Sequence, residues 1–206
     1  MNLGQLKTLV RDLIRDNVNY EATAPDSQSA LNYSNTQVVE AINWAIKTYC
    51  DRTGATYLEA NALLSAAGIA TIPTDSIRII GVDYSGKALV QTDASTEEMK
   101  DDGWEDRTGT VTRRWLRWSG SQIKLTPILS VWAGGATNCQ IQYIEMPDAL
   151  SADANSVDSR IPETQQEHLK YAAAAYLLQM MNDEQNIALA DRFLQQFDAL
   201  IKEARR

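Results

Sequence analysis

The segment Pro162-Glu-Thr-Gln-Gln-Glu-His-Leu-Lys-Tyr-Ala-Ala-Ala-Ala-Tyr-Leu-Leu-Gln-Met-Met181 contains four consecutive alanines within an otherwise amphipathic pattern. Its apolar residues recur at the three- and four-residue spacing of a helix face: Leu169, Ala172, Ala173, Tyr176, Leu177, Met180 and Met181. Because alanine carries only a methyl group, another helix can approach this face closely. The segment therefore predicts the third helix of a helical layer, with its alanines facing the second helix.

Further helical patterns occupy the two ends of the chain. Apolar spacing predicts a first helix over about residues 2–17. Ser34 suits an N-cap and Gln37 completes a capping box, so a second helix is expected to begin there and to end near Gly54. Its predicted buried stripe comprises Val38, Ala41, Ile42, Ala45, Ile46 and Tyr49. A final helix is predicted from the recurrence of Ala190, Phe193, Phe197, Leu200, Ile201 and Ala204. The polar segment 17–33 is long for a connection within a compact domain, which leaves it either mobile or ordered by a partner.

The middle of the chain, residues 55–147, has the short alternating runs of β-structure. Hairpin turns are expected at Ser85-Gly86 and around Gly120, and a further strand is expected from Cys139 to Glu145. A short helical turn, capped at its start, is predicted from Ser95 onward. The fold class is therefore α+β, in which terminal helices form a small bundle packed with an antiparallel sheet or sandwich block. Residues 1–206 are predicted to form a single domain, helical over 1–54 and 161–206.

The chain of 206 residues is acidic, with a net charge of −8 and an isoelectric point near 4.7. This balance disfavours nonspecific binding to DNA phosphates, which depends on basic surface, and suits the wall of a channel that repels DNA. Cys50 and Cys139 are expected to be buried free thiols in a reducing cytoplasm. We expect no signal peptide, because the chain opens on an amphipathic helix, and no membrane span.

The sequence carries little that indicates catalysis, so we expect no enzyme and no cofactor. His168 is the only histidine, and neither cysteine is near it, which disfavours a zinc site. An acidic cluster comprises Glu97, Glu98, Asp101, Asp102, Glu105 and Asp106. This cluster predicts a solvated acidic face around Trp104. The alternative is that its carboxylates bind a metal ion and that the protein is a metal-dependent hydrolase.

A run of arginines and tryptophans lies within the first strand of the second hairpin. Arg113, Trp115 and Arg117 would share one face of that strand. Such interleaving can bind single-stranded nucleic acid, but contact with a neighbouring protein subunit is the favoured interpretation in an acidic chain. Trp132, in the apolar segment Ile128–Gly135, would be either locally buried or an anchor at a protein interface.

A succession of features covers nearly the whole chain. Along the chain these features are the capped helix Ser34–Thr53, the segments Ile72–Val82 and Gly86–Leu89, the acidic turn with Trp104, the segments Gly120–Pro127 and Tyr143–Pro147, and Ile161-Pro-Glu before the alanine-rich helix. This order resembles the head-to-tail adaptor (connector) proteins of tailed bacteriophages. The resemblance implies a non-enzymatic virion protein of the neck, assembled in the cytoplasm of the host bacterium. A tail completion or terminator protein is the alternative within the virion.

The resemblance also implies partners. Adaptors of this kind form a ring, usually of twelve copies, between the portal protein and a tail, nozzle or stopper protein. The ring extends the DNA channel, and the genome passes through it without sequence-specific binding. In relatives the C-terminal segment docks on the portal, so residues 190–206 are the expected docking tail. Its candidate docking residues are Phe193, Phe197, Leu200, Ile201, Lys202, Arg205 and Arg206. The candidates for contact with a subunit or the tail are Arg113, Trp115, Arg117 and Trp132.

Overall fold

A computed structural model of the chain describes residues 1–14, 33–109, 112–129, 138–181 and 184–204. These residues form two compact units. The helical unit comprises Met1–Thr56 and Met146–Arg206, and the β-rich unit comprises Tyr57–Glu145. The described structure is mixed α+β, as the sequence predicts.

The first two helices are α1 (Leu3–Leu13) and α2 (Asn35–Thr53). Ser34 and Gln37 form the predicted capping box, and α2 ends at Gly54, whose φ of 76° lies in the left-handed region that glycine adopts most readily. The predicted buried stripe of α2 is confirmed, and Cys50 is buried beside it. The prediction for α1 is too long, since the helix begins after the Asn2 cap and ends at Leu13. Most of the predicted polar segment 17–33 lies outside the described residues.

The C-terminal helices are α4 (Glu163–Gln166), α5 (Leu169–Met180) and α6 (Glu184–Ala204). His168 lies between α4 and α5 and not inside one continuous helix. Within α5, Ala172 to Ala175 are all fully buried. Successive helix residues are about 100° apart, so four such residues cover the whole circumference.

The alanine stretch therefore has neighbours on every side. Helix α5 contacts α1, α2 and α6, which is more than the single facing helix predicted. Ala175 packs in a cluster with Leu178 and Ala190 between α5 and α6. The prediction of the apolar face is wrong at the C-terminal end of α5, because Met180 and Met181 are about half exposed, at 49% and 46%.

The β-rich unit contains two four-stranded sheets. The first sheet is antiparallel throughout and has the order β1 (Tyr57–Leu63), β10 (Asn138–Glu145), β3 (Ser76–Tyr84), β4 (Lys87–Ala88). The hairpin turn predicted between β3 and β4 is confirmed, with positive φ at Ser85 and Gly86. Cys139, on β10, is buried as expected. Burial raises the pKa of both thiols, Cys50 and Cys139, to about 11, which keeps them protonated at neutral pH.

The second sheet has the order β2 (Ile69–Thr71), β8 (Gln122–Thr126), β7 (Arg114–Ser119), β5 (Val90–Gln91). The predicted hairpin of β7 and β8 is confirmed, but β5 pairs with β7 in parallel. A further parallel pair joins β6 (Thr108–Gly109) and β9 (Ile128–Leu129). The predicted antiparallel block is confirmed in the main strand pairs, and the two short parallel pairs are additional to it. Neither parallel pair is joined by a tight turn, since a short helix and β6 lie between β5 and β7, and the β7–β8 hairpin lies between β6 and β9. Buried residues of both four-stranded sheets, including Val82, Trp115, Ile123 and Ile141, form one core, as in a sandwich.

A short helix, α3 (Ala94–Glu98), follows β5. Its N-cap is Asp93 and not the predicted Ser95, because the Asp93 carboxylate accepts the backbone N–H of Thr96 at 2.8 Å. The hydroxyl groups of Ser95 and Thr96 also donate to Asp93, and these hydrogen bonds lower the pKa of its carboxyl group to about 2. The helix positions Glu97 beside β7.

Candidate functional site

The arginine-rich strand β7 is only partly a surface. Trp115 is 2% exposed and lies in the core of the β-rich unit, so its side chain is not available to a neighbouring protein. Leu116, the next residue, is also buried, which means that both faces of β7 are covered at this point. Arg113 and Arg117 are exposed. The predicted shared face of Arg113, Trp115 and Arg117 is therefore divided into a buried indole and two exposed cations.

Arg113 lines a cavity of about 290 Å³, which we call the arginine pocket. Its lining comprises Glu97, Arg107, Gly109, Arg113, Arg114, Thr126 and Pro127. Arg117 lines a different cavity of about 430 Å³, together with Arg78, Ile80 and Gln91. The guanidinium of Arg117 donates to the carbonyl oxygen of Gly120 at 2.8 Å, within the β7–β8 turn. The structure thus separates the two arginines that the sequence grouped.

Glu97 is the buried acid of the arginine pocket, with a side chain only 3% exposed. It forms ion pairs with Lys100 at 3.0 Å and with Arg114 at 3.0 Å, and it accepts the hydroxyl of Thr92 at 2.9 Å. Burial raises the pKa of Glu97, but the hydrogen bonds from Lys100 and Thr92 and the charge of Arg114 outweigh burial and hold this pKa below its ordinary value. Glu97 thus serves as a structural ion-pair centre.

The prediction of one solvated acidic face around Trp104 requires correction. Glu97 and Trp104 are buried, whereas the other five acids of the cluster, Glu98, Asp101, Asp102, Glu105 and Asp106, are exposed. Across the described ranges, no group of three or more His, Cys, Asp or Glu residues is placed to hold a metal ion. Among the described residues, the carboxylates therefore do not form the metal-ligand set that the metal-dependent hydrolase hypothesis requires.

We expect the replacement Glu97→Gln to lower the free energy of unfolding by about 1–3 kcal/mol near neutral pH, because charge-assisted hydrogen bonds are lost. The pKa of Glu97 is depressed in the folded state, so its stabilisation is complete above the ordinary value of 4.5 and disappears as the pH falls through the folded value. The stability difference between the wild type and Glu97→Gln should therefore shrink in acid, as measured by urea unfolding over a pH series. Glu98→Gln, at the exposed neighbouring position, is the matched control. A pH-independent difference would contradict this prediction.

Lys124 is a residue that sequence analysis missed. Its ammonium group lies 4.3 Å from the ring centre of Trp118 and 5.4 Å from that of Trp104, and the residue is only 4% exposed. The two indoles meet edge to face at 5.9 Å. Alternation in β8 places Lys124 on the polar face with Gln122 and Thr126, but the two indoles cover that face and replace water with cation–π contact.

The candidate docking residues of α6 fall into two groups. Phe197 and Ile201 are buried, at 0% and 5% exposure, whereas Phe193 and Leu200 are half-buried and Lys202 is exposed. The ring of Phe197 lies 6.5 Å from that of Tyr49 and 6.0 Å from the guanidinium of Arg52 on α2. Arg52 also forms an ion pair with Asp198. Helix α6 is therefore integral to the helical unit. Arg205 and Arg206 lie outside the described residues.

The remaining interface candidate, Trp132, also lies outside the described residues. Of the apolar segment Ile128–Gly135, the structure describes only Ile128 and Leu129, which form β9 and are buried.

Comparison with known protein families decides the identity of the chain. A family model described as SU10 adaptor protein matches residues 1–206. The chain belongs to this family. It is a family of phage head-to-tail adaptors, so the predicted resemblance is confirmed. A search of curated proteins gave no match.

Membership of this family makes the chain a phage adaptor protein and a structural component of the virion. An adaptor interacts with other components of the phage head or tail. The exposed arginines of the β-rich unit and the exposed part of α6 are therefore candidate assembly surfaces of the adaptor. None of the helices in the described part of the chain is long and apolar enough to cross a membrane.

Proposed function

We propose that this adaptor assembles as a closed ring, of twelve copies, between the portal protein and the tail. Assembly takes place in the cytoplasm of the host bacterium, and the finished ring extends the channel through which the genome passes. The whole-chain match to the SU10 adaptor family carries this proposal. The acidic charge of the chain supports a channel that DNA crosses without specific binding, because negative surface repels the phosphate backbone.

A closed ring requires head-to-tail contacts, in which one patch of a subunit meets a different patch of the next. The β-rich unit offers exposed cationic groups at Arg113 and Arg117 for one such contact. Trp132 remains a proposed contact residue on the tail or subunit side. Trp115 takes no part in the contact, because its burial in the core leaves it to stabilise the subunit.

Docking on the portal is proposed to use the end of α6. Phe197 and Ile201 anchor this helix in the helical unit, so the docking groups are those that remain accessible. The sequence provides positive charges at Lys202, Arg205 and Arg206, and in the described part of α6 Phe193 and Leu200 offer half-buried apolar surface. Positive groups at the end of a helix also complement its negative dipole. The partner on the opposite side of the ring is a tail, nozzle or stopper protein.

The proposal is tested by mixing the adaptor with the portal of the same phage and imaging the complex by electron microscopy. We expect a ring of adaptor subunits on one end of the portal. A ring that assembles only on tail-tube protein, and never on the portal, would instead identify a tail completion or terminator protein.

Portal docking by α6 is tested with a chain that carries Lys202→Glu and ends at Ala204. We expect unchanged thermal unfolding, because the buried anchors are retained, together with loss of portal binding in a pull-down assay. The control for the charge reversal is Lys47→Glu, which makes the same lysine-to-glutamate change on the exposed side of α2 and retains Arg205 and Arg206. Equal portal binding by the two variants would exclude the proposed docking residues.

A further inference from the structure

We propose that the arginine pocket binds carboxylate groups of a neighbouring copy of this chain and forms the basic half of the contact between subunits. The inference rests on the proposed ring, because a second copy is adjacent only if the ring forms. The occupant of the pocket is a protein carboxylate, supplied by an aspartate or glutamate side chain of the second copy.

The pocket keeps an excess of positive charge after its internal ion pairs are made. Three arginines line it against one glutamate, and the Nη1 atom of Arg114 is already bonded to both oxygens of Glu97, at 3.0 and 3.1 Å. The Nε atom of Arg107 lies 3.9 Å from a carboxylate oxygen of Asp101, which is beyond hydrogen-bond distance. Arg113 forms no ion pair with any residue of the described segments. The cavity thus contains guanidinium groups with donors to spare.

The backbone positions of these arginines are fixed by the sheet. The backbone N–H of Arg113 donates to the carbonyl oxygen of Thr126 at 3.3 Å. The carbonyl oxygen of Arg113 accepts the N–H of Val90 at 3.0 Å. The carbonyl of Arg107 accepts the N–H of Ile128 at 2.8 Å. Arg114 is held from the side-chain end by the buried Glu97. Because these backbone positions and the Arg114 side chain are fixed before a ligand binds, less conformational entropy is lost on binding.

The size and shape of the pocket suit acidic side chains. A volume of about 290 Å³ is at the lower end for a ligand cavity, which is enough for one or two carboxylates and not for a bulky cofactor. The planar guanidinium presents paired N–H groups that match the two oxygens of a carboxylate. The chemistry of the pocket therefore favours aspartate or glutamate side chains.

A second copy is the occupant that the charge of the chain supports. Each copy carries 27 acidic against 19 basic residues, so a subunit that presents this basic pocket also presents excess carboxylates elsewhere. Complementary charge on the two unlike faces of a ring contact raises association rates and fixes register. A DNA phosphate is the weaker alternative, because a net charge of −8 opposes approach of the duplex.

The test uses Arg113→Glu in the full chain, mixed with the portal and imaged by electron microscopy over a range of adaptor concentrations. We expect portal binding to persist through α6, while the concentration needed for ring closure rises by roughly tenfold or more. In mixtures with wild-type chain, the variant should also raise the concentration at which rings close, because each variant copy still offers carboxylates to one neighbour but repels those of the other. Lys47→Glu, at an exposed position of α2 outside both the arginine pocket and the docking segment, is the matched control and should close rings at the wild-type concentration. Thermal unfolding of each variant verifies that the chain is folded.

The possible results distinguish failure of the arginine-pocket contact from failure of ring formation. If wild-type chain and Arg113→Glu close rings at the same concentration, the ring stands and the pocket is not its contact. If wild-type chain forms no ring on the portal, the proposed function and this inference both fail. If Arg113→Glu loses binding to the portal itself, the occupant is a portal carboxylate. If wild-type chain binds a short DNA duplex and Arg113→Glu does not, the ligand is a phosphate. Each of the last two results would overturn the assignment to a second copy.

Discussion

Replacing Phe197 with alanine should lower the free energy of unfolding of the helical unit by about 3–5 kcal/mol, the range for removing a large buried aromatic side chain. The Phe197 side chain is fully buried, and its ring contacts the ring of Tyr49 and the guanidinium of Arg52. The substitution leaves a cavity between α6 and α2 and removes both ring contacts. Urea unfolding followed by far-UV circular dichroism measures the effect.

The control for this result lies on the same helix. Leu189 is 36% exposed, so Leu189→Ala removes apolar side-chain atoms where less burial is lost, and we expect a cost below about 1 kcal/mol. Equal losses for Phe197→Ala and Leu189→Ala would mean that α6 is not held by its buried face. The helix could then detach and dock through Phe197 and Ile201, as the sequence alone suggested. A large difference would restrict docking to Lys202 and the residues after it.

Enlarging Ala173 to leucine is expected to destabilise the helical unit by about 1–3 kcal/mol, because the added carbon atoms overpack a filled site. Ala173 is fully buried within a stretch whose whole circumference is covered, on a helix that contacts α1, α2 and α6. Rotation of α5 cannot relieve the clash, since every side of the alanine stretch is buried. Thermal and urea unfolding both report the loss.

The matched substitution is Gln179→Leu, which introduces a leucine at an exposed position of the same helix. We expect this variant to unfold within about 0.5 kcal/mol of wild type, as is usual for surface substitutions. If Ala173→Leu is as stable as Gln179→Leu, the alanines do not set the spacing of the helices. Close packing of the helical layer would then have another cause.

Local signals in the sequence predicted many of the elements. The start and end of α2 follow from Ser34, Gln37 and Gly54, because capping depends on residues within one turn of the helix end. The β3–β4 turn follows from Ser85-Gly86 for the same reason. The cap of α3 was misplaced because Asp93, two residues before Ser95, accepts the N–H of Thr96 and also binds the Ser95 hydroxyl.

The candidate site was less predictable, because its character depends on contacts between distant parts of the chain. Arg113 and Arg117 lie four residues apart and line different cavities, while Arg107 and Arg114 join Arg113 around one. Glu97 was grouped with acids that are near in sequence, yet its partner Arg114 is 17 residues away. No spacing rule for a strand or helix encodes these arrangements.

The sequence by itself determined the fold class, the boundaries of the best-capped helix and turn, and the resemblance to head-to-tail adaptors, because periodicity, capping residues and the order of elements are written along the chain. Only the tertiary structure decided which side chains remain available for assembly. Trp115, Phe197 and Lys124 are all buried, although the sequence offered the first two as contact residues and placed the third on a polar strand face. Burial depends on what covers a residue, and in a folded chain the covering group comes from another element: a facing sheet, a neighbouring helix or a pair of indole rings.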